Sequence, residues 1–140
     1  MILKINLKQL GGRRQKIAPV DFEYEPVPDT LRALIVQTVT GCVDSYNARV
    51  RAGEHRAAPL TEERITALAD LGKIAFGISY GGREQAPEKA VENALQAFTD
   101  GLYRVFLNDT ELKELDERVT FNENDSLTFI RLTMLAGRMW

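Results

Sequence analysis

Few side chains in this sequence are equipped for chemistry, and the neighbours of each decide what it can do. The chain holds one cysteine, Cys42, and one histidine, His55. Cys42 falls on the apolar stripe of a helical segment, a setting for an inert core thiol rather than for a nucleophile of lowered pKa. A lone cysteine forms no intrachain disulfide, and one thiol with one imidazole falls short of the four soft ligands of a typical structural zinc site. His55 stands in GEHRAAPL, a loop-like stretch, with no Ser, Cys or paired carboxylate at a spacing that would make it a general base, so it reads as solvated. Tyr80-Gly81-Gly82 offers backbone amides to an anion, but two glycines without the frame of a phosphate loop read as a turn. Arg13, Arg14 and Lys16 form a basic loop tip whose ordinary role is solvation and whose alternative is steering a partner. No residue is assigned as catalytic, as a metal ligand or as the holder of a bound cofactor, and the chain does not read as an enzyme.

The balance of charge narrows the partners. Across 140 residues, 18 Lys and Arg against 20 Asp and Glu leave a net charge of -2, which lacks the basic excess of a general nucleic-acid binder. The length suits one domain, 1–140. The opening MILKINLKQL alternates apolar and polar residues and has no long apolar core of a signal peptide, and no stretch approaches the roughly 20 apolar residues of a membrane span. The expectation is a cytoplasmic protein with neither membrane nor nucleic acid as partner.

The elements that would position any site follow from period. Met1, Leu3, Ile5 and Leu7 share one strand face, with Lys4, Asn6 and Lys8 on the other. Gly11-Gly12 turns the chain into a second strand, where Val20, Phe22 and Tyr24 alternate with Asp21, Glu23 and Glu25 between Pro19 and Pro26. Thr30 caps a helix with apolar positions Leu31, Leu34, Ile35, Thr38, Val39, Cys42, Val43 and Tyr46, expected to end near Gly53. A second helix is expected from Thr61 through Ile65, Leu68, Ala69, Leu71, Gly72 and Ala75, and GISYGGREQ breaks it. A third opens at Pro87 and carries Val91, Ala94, Leu95, Phe98 and Leu102. From Tyr103 the period becomes two: Val105 and Leu107 face one way, Arg104 and Phe106 the other. Asn108-Asp109 then turns into Thr110–Leu112, and SLTFIRLTML is the last strand. Leu3, Ile5, Phe22, Leu34, Val105, Leu107, Leu112, Leu127 and Phe129 are expected to share one core.

A hairpin, one amphipathic helix and returning strands is the layout of a β-grasp domain, and three segments in order resemble ubiquitin. FEYEPVPDTLRALI resembles its second strand, Glu-Pro exit and helix start; RVFLNDTELKELD resembles its middle strand, turn and next short strand. NDSLTFIRLTMLAG resembles its last strand and tail, and is equally similar to the final strand of the bacterial sulfur carriers of thiamin and molybdopterin synthesis. The likeness covers roughly residues 1–50 and 103–137. The stretch from about 53 to 102 has no counterpart and reads as a helical insertion, because closing a long excursion costs little extra entropy. The fold class expected is thus α+β, a ubiquitin-like β-grasp sheet with one core helix and a two-helix insertion.

The resemblance implies what the tail, 133–140, would do. Ubiquitin and the sulfur carriers mature to a terminal Gly-Gly, whereas this chain reads Ala136-Gly137-Arg138-Met139-Trp140. A peptidase removing Arg138, Met139 and Trp140 would expose the Gly137 carboxylate. Lacking a Cβ, that glycine can thread a narrow channel to be adenylated with ATP-Mg by an activating enzyme and passed to thiols, including that of a conjugating enzyme. The expectation is a prokaryotic protein modifier joined to unknown targets by an isopeptide bond, with a sulfur carrier bearing a thiocarboxylate or a non-covalent adaptor as alternatives. Phe106 lies where ubiquitin keeps an apolar residue of its partner-binding face, with Thr128 and Ile130 as neighbours. Two arrangements stay open, one in which this face is free to dock and one in which the inserted helices cover it.

Overall fold

The computed structural model describes residues 1–10, 19–55, 68, 71–73, 75–78 and 85–132. The class is α+β. One five-stranded mixed sheet is built from β1 (Ile2–Leu10), β2 (Val20–Glu23), β3 (Tyr103–Leu107), β4 (Thr110–Leu112) and β5 (Ser126–Leu132), in the order β2-β1-β5-β3-β4. β1 pairs antiparallel with β2 and parallel with β5; β5 runs antiparallel to β3, which pairs antiparallel with β4. The first and last strands are therefore the central pair.

Strict alternation makes the sheet two-faced. Leu3, Ile5 and Leu7 of β1, Val20 and Phe22 of β2, Tyr103 and Val105 of β3, Leu112 of β4, and Leu127 and Phe129 of β5 are buried together, as a period of two requires of a sheet covered on one side. Helix α1 (Leu31–His55) supplies the opposing apolar layer through Leu31, Leu34, Ile35, Val39, Cys42 and Val43, all inaccessible to solvent. It runs two residues beyond Gly53, so His55 closes a helix and does not lie in the loop where the spacing put it. Leu107, expected inside, is only half-buried, because β3 ends there and the residue packs at the margin of the core.

The start of α1 is satisfied by more than its cap. The Ala33 N–H donates to Thr30 Oγ1 at 3.1 Å, the expected N-cap bond. The amides of Leu31 and Arg32 donate to the carbonyls of Glu117 and Leu115 at 3.2 and 2.7 Å, so the connection from β4 to β5 wraps the helix end. This wrap leaves those orphan donors nothing to offer a ligand. Gly41 lets Phe22 approach the helix, since a Cβ there would overlap the ring carbons Cζ and Cε2.

Between α1 and β3 the described residues include the helical positions Leu68, 71–73 and 75–76, followed by Gly77 at φ 69°. The Gly77 N–H returns to the Lys73 carbonyl at 3.1 Å, a left-handed glycine stop. Helix α2 (Pro87–Thr99) opens with Pro87 in its first turn. It closes on Gly101 at φ 77°, with Gly101 bonded to Phe98 and Leu102 to Ala97, the paired bonds of a Schellman stop. α2 packs on α1 and on β3. The second helix's start at Thr61, with Ile65 and Ala69, the turns at Gly11-Gly12 and Tyr80-Gly81-Gly82, the basic tip Arg13, Arg14 and Lys16, and the tail from 133 all lie outside the described residues.

Candidate functional site

Register assembles the face opposite the core. Asn6 is aligned with Thr128, Thr128 with Phe106 and Phe106 with Glu111, which makes one row across four strands. The next row aligns Lys8 with Ile130 and Ile130 with Arg104. Phe106, Thr128 and Ile130 are thereby brought onto one patch, and each is half-buried. Ile130 lies between two cations, of which Arg104 reaches Glu111 at 4.0 Å. Alternation along β3 places Arg104 on the Phe106 face, but Lys8 is a member of this patch that reading the sequence missed, because the parallel alignment of β1 with β5 cannot be derived from either strand alone.

The intervening helices lie on the other side of the sheet. Phe76 sets its ring 5.3 Å from both Tyr103 and Phe129, edge-on, and Phe98 lies 5.8 Å from Tyr103. The Tyr103 hydroxyl donates to the Ala94 carbonyl at 2.7 Å. Of the two open arrangements, the described residues of 56–102 thus follow the one that leaves the Phe106 face uncovered by them.

The buried polar groups are held rather than reactive. Cys42 is fully buried, and burial pushes its thiol well up despite a backbone hydrogen bond at Gly72, the opposite of what a nucleophilic thiolate needs. Tyr24 is likewise raised by burial, its hydroxyl 2.7 Å from Thr38 Oγ1, and Thr38 donates to the Leu34 carbonyl at 2.7 Å. Thr38 is thereby satisfied inside the core. A cleft of about 420 Å³ between residues 76–78 and the start of α2 is lined, among the described residues, by Phe76, Ile78, Gln85, Lys89, Ala90 and Asn93, which include no acid–base pair. Among the described residues no three His, Cys, Asp or Glu side chains group as a metal site, and no helix is long and apolar enough to cross a membrane.

One inward position breaks the apolar pattern. Arg131 shares the core side of β5 with Leu127 and Phe129, is half-buried, and donates from Nη1 to the Ala75 carbonyl at 3.5 Å. The conjugation residues expected from the sequence, Ala136, Gly137 and Arg138, lie outside the described residues, beyond the end of β5. No family model, curated protein or solved structure matches the chain.

Proposed function

We propose that the chain is a ubiquitin-like β-grasp protein carrying a helical insertion, and that it serves as a protein modifier. The observation that carries this reading is the sheet itself. An antiparallel pair β1–β2, one long helix and returning strands, with the last strand central and parallel to the first, are compatible with the β-grasp layout and support the reading. The strand that the tail follows in sequence is therefore a central one, and it carries Thr128 and Ile130. In this reading a peptidase cuts after Gly137, and the freed carboxylate attacks the α-phosphate of ATP, releasing pyrophosphate. An enzyme thiol then displaces AMP to give a thioester, and a target amine displaces the thiol to give an isopeptide bond. The chain supplies the carboxylate and the docking face; the enzymes supply the catalysis and bind the ATP-Mg.

The test is formation of an ATP-dependent, thiol-sensitive adduct between the matured chain and a cognate adenylating enzyme. Gly137→Val is expected to abolish it while leaving the melting temperature unchanged, since a side chain there would obstruct the enzyme's channel. A second reading, a non-covalent adaptor, is favoured by the Phe106 face, which the described residues of 56–102 leave uncovered. Partner binding lost in Phe106→Ala but intact in Gly137→Val would select it.

A further inference from the structure

The sheet ends on one side at β2, the outermost strand next to β1, and alternation fixes which of its backbone groups look away from the sheet. The Tyr24 N–H donates to the Met1 carbonyl at 2.8 Å and the Met1 nitrogen donates back to the Tyr24 carbonyl at 3.1 Å, so these two residues are a hydrogen-bonded pair. In an antiparallel ladder such pairs recur at every second residue, which with the observed register makes Leu3–Phe22 and Ile5–Val20 the next ones. Asp21 and Glu23 therefore direct N–H and C=O at the free edge, and among the described residues nothing bonds to those groups. The opening is bounded on both sides. Pro19, one step before in the alternation, has no N–H to offer. The Glu25 N–H, one step after, is taken by Gln37 Oε1 at 3.1 Å, while Gln37 Nε2 donates to the Pro26 carbonyl at 2.6 Å.

Charge decides what can pair there. Asp21, Glu23 and Glu25 are exposed; Lys4 lies across from Asp21, and Glu23 Oε2 meets the Met1 nitrogen at 3.2 Å. A second copy of β2 laid antiparallel along this edge would set acid against acid, and like charges on opposed strands repel. An extended segment with a basic residue at every second position meets the opposite case. Its backbone bonds to Asp21 and Glu23 continue the ladder, its cations lie beside the acids, and its intervening side chains fall on the side where Val20 and Phe22 are buried, which favours apolar ones. We infer that the free edge of β2 is a docking site for such a segment of a protein partner, basic and apolar in alternation. The inference does not rest on the modifier reading, since it uses neither the tail nor the Phe106 face.

Amide hydrogen exchange on the intact chain tests it, with a short peptide of alternating lysine and valine as the probe. With the peptide at about ten times its dissociation constant, the Asp21 and Glu23 amides are expected to exchange about tenfold more slowly, while Glu25, already held by Gln37, and Phe106, Thr128 and Ile130 keep their rates. A glutamate–valine peptide of the same length is expected to give no protection, for want of the right charge. A lysine–valine peptide methylated on the backbone nitrogens that would face β2 should also give none, for want of the ladder. Asp21→Lys with Glu23→Lys should reverse the preference toward the glutamate peptide; if that variant melts below the assay temperature, the three peptides on the unsubstituted chain decide alone. No protection by the lysine–valine peptide at any concentration would overturn the site and leave the acids as a guard that keeps strands off the edge. Equal protection by the glutamate or the methylated peptide, or protection that falls on the Phe106 face instead, would overturn it as well.

Discussion

Gly41 and Asp125 show how single residues here are fixed by neighbours that no local pattern reveals. Alanine is the better helix former by about 1 kcal/mol, so Gly41→Ala in the middle of α1 would ordinarily stabilise. Phe22 lies against that spot, held 4.5 Å from the Tyr24 ring, and overpacking costs about 1–3 kcal/mol. The net expectation is destabilisation by about 1–2 kcal/mol in a denaturant melt. At Asp125, the Asn122 N–H donates to the carboxylate at 2.8 Å and Asn108 Nδ2 at 3.1 Å. These bonds hold the carboxyl below its ordinary value, the backbone bond being the larger cause. A folded pKa below the unfolded one gives stability that is present above about pH 4 and lost as the pH falls through the folded value. Wild type should therefore out-melt Asp125→Asn at neutral pH, and the gap should close in acid. Thermal melts across that range check it, and a gap that widens in acid contradicts it.

At the scale of elements, strands and helix starts were legible because their causes are local. The alternation of Leu3, Ile5 and Leu7, the cap at Thr30 and the Pro87 start each depend on a few adjacent residues, and each is present in the structure. What the sequence could not disclose was which elements meet. The pairing of β1 with β5 joins residues more than a hundred positions apart, and hence Lys8 beside Ile130 escaped notice; so did Arg131, whose inward position looks like an error until the helix end is placed over it. The place of Phe76 is the clearest consequence. It is buried within the common core, against Tyr103 and Phe129, so the intervening segment completes the core instead of decorating it. Phe76→Ala is expected to cost about 3–5 kcal/mol, whereas Leu107→Ala at the core margin should cost only about 1–2 kcal/mol. Chemical denaturation of the two variants ranks them, and the reverse order would place the segment outside the cooperative unit. A chain with 56–86 excised should accordingly lose the sharp thermal transition.

For the whole molecule, the architecture separates three surfaces. The covered sheet face and its helices are committed to stability, the opposite face presents Phe106, Thr128 and Ile130 with Lys8 and Arg104 at its flanks, and β5, the strand that precedes the tail in sequence, is central in the sheet. The candidate tail residues Ala136, Gly137 and Arg138 rest on the resemblance of NDSLTFIRLTMLAG alone, because a glycine followed by three residues has no periodicity to mark it, and they lie outside the described residues. Intact mass of the protein recovered from its native host, with the proposed peptidase and activating enzyme active, addresses the central claim directly. The account predicts a chain that ends at Gly137, lacking Arg138, Met139 and Trp140, together with heavier species in which that chain is joined to other proteins. A population that retains Trp140 throughout would contradict it.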